Sequence, residues 1–100
     1  MGRLLYGSQE REIQIDDRSL AHAQLVIIGK LRRSESFTFS WAAAEDTGRA
    51  TVWIHPSIPL QFQYDGKASV PINQEWLKEL TAIASRGDLR LTSEPPGSSN

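Results

Sequence analysis

The chain has 100 residues, 39% hydrophobic and 23% charged, which fits one soluble domain and is too short for two. Its 11 basic and 12 acidic residues give a formal net charge of -1, so nucleic-acid binding through overall charge is excluded. Only a local basic patch could support it. Because the chain has no cysteine, disulfides, thiolate metal ligands and thiol nucleophiles are excluded as well.

Apolar runs in the sequence are short. Neither the N-terminal segment 1–8 nor the longest apolar run, 25–28, is long enough for a signal peptide or for a membrane span, which needs about 20 apolar residues. We therefore expect a cytoplasmic protein with no membrane partner.

The hydrophobic pattern of the first half predicts three strands and one helix. Residues 2–6 predict a short strand, and the alternation over 10–15 predicts a second strand joined to it by a hairpin loop. Asp16 and Asp17 offer N-cap carboxylates for a helix over about 17–33, whose apolar residues recur at helical spacing. Strict alternation over 36–41 predicts the third strand.

The second half predicts two more strands, a second helix and a final strand. Residues 50–55 are rich in β-branched side chains, and 60–64 alternate between apolar and polar residues. Asn73 is a good N-cap for the second helix, which Gly87 ends. Residues 88–92 then predict a last short strand.

The element order is therefore ββαβββαβ, which predicts an α+β fold. Strands with one apolar and one polar face favour a two-layer sandwich, in which a mostly antiparallel sheet carries both helices on one face. The pattern does not determine the order of the strands. We expect a single domain over 1–92 and a disordered tail over 93–100, which has two prolines and no apolar residue to bury.

Four segments of the sequence are distinctive, 2–7 (GRLLYG), 20–22 (LAH), 30–33 (KLRR) and 53–60 (WIHPSIPL). Through them the sequence resembles a family of small, uncharacterised actinobacterial proteins, over nearly the whole chain except the tail. Members often carry the automatic label ATP-dependent DNA ligase. The resemblance implies a domain of unknown function and no established activity or functional residue.

The ligase label can be tested against the residues. Covalent nucleotidyl transfer in such ligases needs a lysine nucleophile in a Lys-any-Asp-Gly motif, together with carboxylates that bind a metal. The three lysines are followed by Leu-Arg-Arg, Ala-Ser-Val and Glu-Leu-Thr, and Asp65-Gly66-Lys67 has these residue types in the wrong order. We therefore expect no ligase catalysis.

Other catalytic, cofactor and metal sites are not indicated either. The two histidines, His22 and His55, lack the spacing of metal ligands, and His22 is expected to be a partly buried or surface side chain. The acidic pairs 16–17 and 45–46 fit a helix cap and a solvated loop better than acid–base catalysis. We expect a non-enzyme without cofactor.

The strand over 50–55 carries the first candidate binding surface. If Val52 and Ile54 face the helices, the alternate positions lie on the opposite face of the sheet. Those positions are Arg49, Thr51, Trp53 and His55. In the alternative orientation the strand is flipped and Trp53 belongs to the core.

The basic end of the first helix is the second candidate surface. Lys30, Arg32 and Arg33 could contact phosphates, although they also suit a helix C-terminus and Glu35 follows closely.

Two functions follow from these surfaces. The first is a protein-interaction module, homo-oligomeric through the open sheet face or an edge strand. The alternative is an accessory nucleic-acid-binding module, with Arg32, Arg33 and Arg49 on phosphates and Trp53 stacking on a base. The net charge of -1 favours the first.

Overall fold

The computed structural model describes residues 2–42, 49–66 and 69–96. These contain six strands and two helices in the predicted order ββαβββαβ, which confirms an α+β fold. The strands are β1 (Gly2–Tyr6), β2 (Arg11–Ile15), β3 (Phe37–Ala42), β4 (Arg49–Ile54), β5 (Leu60–Gln63) and β6 (Asp88–Arg90), and the helices are α1 (Asp17–Arg32) and α2 (Gln74–Ala84). Neither helix in this part of the chain is long and apolar enough to cross a membrane.

Both helices begin at the caps that the sequence predicts. The Asp16 carboxylate accepts a hydrogen bond from the backbone N–H of Ser19 at 3.0 Å, and the Asn73 side chain accepts from the N–H of Trp76 at 3.2 Å. These bonds satisfy N–H groups that have no partner within the helix. After α2 the backbone of Gly87 has a φ of +90°, a conformation that costs glycine little, and the chain turns there into β6.

The strands divide into two three-stranded sheets instead of the one sheet expected. The first has the order β2-β1-β5 and the second the order β4-β3-β6. Three of the four pairings between these described strands are antiparallel, as expected, whereas β3 and β6 are parallel. Side-chain alternation along a strand shows which face is buried but not which strand lies beside it, so the division was not predictable from this pattern.

One hydrophobic core joins both sheets to both helices. Its buried residues are Leu4, Ile13, Ile15, Leu20, Ala23, Val26, Ile27, Phe37, Phe39, Ile54, Trp76, Leu80, Ala84 and Leu89. The two sheets therefore turn their apolar faces toward the helices, and the opposite face of each sheet is left for polar residues or for contacts with other molecules.

Candidate binding surface

The sheet β4-β3-β6 presents a polar face on the side away from the helices, here named the outer face. Because Phe37 and Phe39 of β3 are buried, the alternate residues Thr38 and Ser40 point outward. Trp53 lies directly opposite Thr38 in the register, on the same face. The outer face consists of Thr38, Ser40, Thr51, Trp53, Asp88 and Arg90.

The polar side chains of the outer face hydrogen-bond one another. The Thr38 hydroxyl donates to Asp88 Oδ1 at 2.6 Å, and the Ser40 hydroxyl lies 2.9 Å from that of Thr51. Arg90 Nε lies 3.8 Å from Asp88 Oδ2. These groups thus bind one another across the three strands and form a polar network of hydrogen bonds and one ion pair.

Trp53 projects from this polar surface. Its side chain is 52% exposed, whereas the next residue of β4, Ile54, is 1% exposed. Of the two orientations that the sequence left open, the structure therefore has the one with Ile54 toward the helices and Trp53 outward. Because tryptophan is enriched in protein interfaces relative to the rest of the surface, Trp53 is the candidate contact residue of this face.

His55 follows the end of β4 and forms a local turn with Ser57. Its Nδ1 accepts a hydrogen bond from the Ser57 backbone N–H at 3.1 Å and lies 2.8 Å from the Ser57 hydroxyl. The carbonyl of His55 accepts from the N–H of Ile58 at 3.0 Å. His55 is exposed and stabilises the turn that ends β4, so its contacts within the chain are structural.

The basic end of α1 lies on the helix side of the sheet, away from the outer face. Lys30 is buried with its Nζ 5.5 Å from the centre of the Phe37 ring, and it forms an ion pair with Glu35 at 3.0 Å. Arg33 Nε donates to the same carboxylate at 3.1 Å. Hydrogen bonds from Arg33 and then Lys30 lower the pKa of Glu35 below its ordinary value, so Glu35 stays ionised and offsets part of the basic charge.

The structure therefore brings together only some of the six predicted surface residues. Thr51 and Trp53 share the outer face, and His55 lies beyond the end of their strand. Arg32 and Arg33 are exposed at the end of α1. Arg49 pairs with Ala42 in the backbone register, but its side chain lies outside the described part of the chain, as does the acidic pair 45–46.

A polar cluster at the start of both helices was missed by the sequence analysis. His22 is fully buried, not partly buried or at the surface, and its Nε2 accepts a hydrogen bond from the backbone N–H of Asn73. Arg18 binds both carboxylate oxygens of Glu94, at 2.8 and 2.5 Å, and Asn73 donates to Glu94 at 2.9 Å. These residues come from α1, the cap of α2 and the C-terminal segment, and no local pattern links them.

Part of the predicted tail takes part in this cluster. Besides the bonds of Glu94, the backbone carbonyl of Pro95 accepts a hydrogen bond from Asn73 at 3.1 Å. Residues 97–100 lie outside the described part of the chain. Glu94 and Pro95 therefore lie against the cap of α2.

Histidine and acidic side chains are the groups of this cysteine-free chain that could bind a metal ion. Within 2–42, 49–66 and 69–96, the histidine and acidic residues form no group of three or more that could hold a metal ion. The second exposed apolar side chain of these ranges, Leu25, is 48% exposed and borders a groove of about 310 Å³ between α1 and α2.

The fold and this surface define a small α+β domain with an open sheet face that carries one exposed tryptophan. The chain belongs to the family described as a domain of unknown function, DUF7882, which matches residues 1–94. That match includes Glu94, which binds Arg18. No curated protein and no solved structure shows significant similarity to the chain.

Proposed function

We propose that this protein is a non-catalytic, cytoplasmic protein-interaction module that associates with a second copy of itself through the surface around Trp53. The observation that carries the proposal is the 52% exposure of Trp53 on a face whose other side chains hydrogen-bond one another. A second copy that covers Trp53 removes from water the one large apolar side chain of this face, whereas the Thr38 and Ser40 hydroxyls already have partners within the chain.

The exposed part of Trp53 is large enough to contribute to association. An aromatic side chain buries about 150–250 Å², so covering the exposed half of the tryptophan removes roughly 100 Å² from water. At about 25 cal/mol per Å² this is worth about 2 to 3 kcal/mol. That is the size of a dominant contact in a protein interface.

The charge distribution favours a second copy over a polyanion. With a net charge of -1, two copies approach each other with little repulsion. The alternative, an accessory nucleic-acid-binding module related to proteins labelled DNA ligase, needs the basic end of α1 and Trp53 on one surface. Arg33 is bonded to Glu35, and Trp53 lies on the other side of the sheet from that helix end.

The proposal is tested by sedimentation velocity over a range of protein concentrations. The natural chain is expected to form a dimer, and Trp53→Ser is expected to shift it to the monomer without loss of helical circular dichroism. Leu25→Ser is the matched control, because Leu25 is exposed to a similar degree but lies on a helix, and it is expected to leave the dimer intact.

Three outcomes contradict the proposal. A natural chain that stays monomeric at high micromolar concentration excludes self-association. Loss of the dimer in Leu25→Ser and not in Trp53→Ser moves the interface to the groove beside α1. Salt-dependent binding of a labelled oligonucleotide that the Arg32→Ala, Arg33→Ala double variant abolishes would favour the nucleic-acid function instead.

A further inference from the structure

The edges of the two sheets differ in how well they are protected against pairing with another strand. Natural edge strands avoid such pairing by being short, by carrying charges, or by adjacent proline. β2 contains Arg11 and Glu12, β6 has only three residues and includes Asp88 and Arg90, and the four-residue β5 follows Pro59. Each of these three edges therefore carries a feature that opposes further pairing.

β4 is the least protected of the four edge strands. Its one charged residue, Arg49, is its first, and Pro56 lies beyond its end. Residues 50–54 between them read Ala-Thr-Val-Trp-Ile, with no charge and no proline, and β-branched residues and tryptophan favour extended pairing. Within the described ranges, β4 pairs with β3 on one side only. The other side of β4 is thus available to a further strand.

From this difference we infer that two copies of the chain join edge to edge through β4, antiparallel, into one continuous six-stranded sheet. The inference rests on the self-association proposed above and decides between its two modes, stacking of outer faces and pairing of edges. A two-fold axis perpendicular to the sheet relates the copies, so that all four helices lie on one side and both outer faces on the other.

The burial of the inward-facing residues of β4 supports edge pairing. Ile54 is 1% exposed, but Ala50 and Val52 are only partly buried, because the core ends at this edge of the sheet. A second β4 would place the same apolar residues beside them and continue the inner layer.

The composition of the outer face opposes the other mode. Stacking two outer faces would remove Asp88 and Arg90 of both copies from water, and their ion pair is long, at 3.8 Å. Pairing of edges leaves both residues in solvent, because β6 lies at the opposite edge of the sheet from β4. It still covers Trp53, which belongs to the edge strand itself.

Side-chain alternation limits the register of the pairing. Directly opposite residues of neighbouring strands share a face, so an outward residue must meet an outward residue of the second copy. The two-fold axis therefore passes through a residue and not between two. An axis at Val52 pairs all of 50–54, with Thr51 opposite Trp53 of the second copy.

This register also brings the two tryptophans together. Trp53 of one copy and Trp53 of the other become diagonal neighbours, about 7–8 Å apart between backbones and within reach of aromatic rings. With the axis at Thr51, the two tryptophans would be separated by further residues. An axis at Trp53 would place the two tryptophans directly opposite each other but would set Ala50 against Pro56, outside the strand. Because the axis at Val52 pairs all of 50–54 and still brings the two rings together, it is the register to test.

The expected dimer is reversible. Five paired residues on each strand make an interface at or below the low end of the usual size, about 1,200 Å² in total, so dissociation in the micromolar range is expected. The experiments must therefore span roughly 5 to 500 µM protein.

Cysteine cross-linking tests the register, because the natural chain contains no cysteine. Val52→Cys places a cysteine beside its own copy at the two-fold axis and is expected to give a disulfide-linked dimer under mild oxidation. Thr51→Cys would cross-link if the two-fold axis passed through Thr51 instead, which is the neighbouring register. Gln14→Cys on the edge strand β2 is the matched control. Neither is expected to cross-link at the rate of Val52→Cys.

Hydrogen exchange of the unmodified chain gives an independent reading that does not depend on any variant folding. Amides of β4 are expected to become more protected as the concentration rises through the dissociation constant, while those of β2 do not change.

Preferential cross-linking of Thr51→Cys would overturn the register. A dimer with neither cross-linking nor protection of β4 would overturn edge pairing and leave self-association standing. A chain that is monomeric throughout would overturn both.

Discussion

His22 of α1 and Asn73, the cap of α2, are joined by a buried hydrogen bond in which the backbone N–H of Asn73 donates to Nε2 of His22 at 2.8 Å. The other ring nitrogen, Nδ1, lies 2.7 Å from the carbonyl oxygen of Arg18, which can only accept, so Nδ1 carries the proton. The imidazole also packs against Trp76, with 4.5 Å between ring centres. One side chain thus fixes the start of α2 against α1.

The first prediction concerns this hydrogen bond. Replacement of His22 by phenylalanine retains an aromatic ring but leaves the buried N–H of Asn73 without its acceptor. We expect the free energy of unfolding to fall by about 1 to 3 kcal/mol. Urea denaturation measures this, and His55→Phe serves as the comparison. That variant removes only a solvent-exposed bond to Ser57 and should cost less, at most about 1 kcal/mol. Equal stability of His22→Phe and the natural chain would contradict the assigned role.

The second prediction concerns the pH dependence of the Arg18–Glu94 contact. Hydrogen bonds from Arg18 and then Asn73 lower the pKa of Glu94 from 4.5 to about 2. A carboxyl whose pKa is lower in the folded state stabilises the fold above its ordinary pKa, and this contribution disappears as the pH falls through the folded value. The Arg18–Glu94 stabilisation is therefore present at neutral pH and lost between pH 4.5 and about 2.

The variant Glu94→Gln measures this contribution. We expect it to be less stable than the natural chain at neutral pH, and the difference in urea midpoint should shrink as the pH falls below 4.5. Glu79→Gln is the control, because Glu79 is exposed on α2. A Glu94→Gln difference that is constant with pH would show that the ionised carboxylate is not the stabilising species.

The local sequence pattern was sufficient to predict the helices and strands of this fold, but it was not sufficient to predict how the strands are arranged in sheets. The caps at Asp16 and Asn73, and the alternation of Phe37 and Phe39, depend on residues close in sequence, so they could be predicted. The parallel pairing of β3 with β6 joins residues about fifty positions apart, such as Thr38 and Asp88. It depends on how the helices pack, which alternation along one strand does not encode.

The candidate site shows the same division. Alternation predicted that Thr51 and Trp53 lie on the face opposite to Ile54, but it left open which of the two faces is outward. The contact of Arg18 with Glu94 joins residues 76 positions apart, in a segment whose composition indicates disorder. The two prolines and the polar residues of that segment show that it has little apolar surface to bury. They do not predict that one of its carboxylates contacts an arginine.

The third prediction concerns the close approach of the chain at Gly2. A Cβ atom at this position would lie 2.7 Å from Leu20 Cδ2 and 3.1 Å from the backbone oxygen of Gln63. Asp17 Oδ1 would lie at 2.8 Å as well. Gly2→Ala must therefore move the buried side chain of Leu20 and that of Asp17 and crowd the backbone of Gln63, which should lower the free energy of unfolding by about 1 to 3 kcal/mol.

Gly29→Ala is the matched control for Gly2→Ala. Its Cβ would meet only the end of the Arg33 side chain, at 3.9 Å, and alanine favours the helix, so we expect a gain of up to about 1 kcal/mol. Thermal or urea unfolding of both variants compares the two sites. If Gly2→Ala proved as stable as the natural chain, β1 would not be packed as closely against α1 as the contacts indicate.

The fourth prediction concerns Tyr64, whose hydroxyl donates a hydrogen bond to the side-chain oxygen of Gln24 on α1. Burial raises the pKa of Tyr64 to about 12, and the negative charge of Asp17 adds to the effect. Because the pKa is higher in the folded state, the neutral phenol stabilises the fold fully below pH 10, and this contribution is lost as the pH rises toward about 12.

Comparison of the natural chain with Tyr64→Phe isolates this effect. At neutral pH the variant lacks the hydrogen bond to Gln24 and should be less stable by about 1 kcal/mol. Above pH 10 the natural chain should lose stability more steeply than the variant, so the difference between them narrows. Unfolding curves at several alkaline pH values, with tyrosinate absorbance to follow ionisation, measure both quantities. Parallel loss of stability in the two proteins would show that Tyr64 ionises equally well in the folded and unfolded chains.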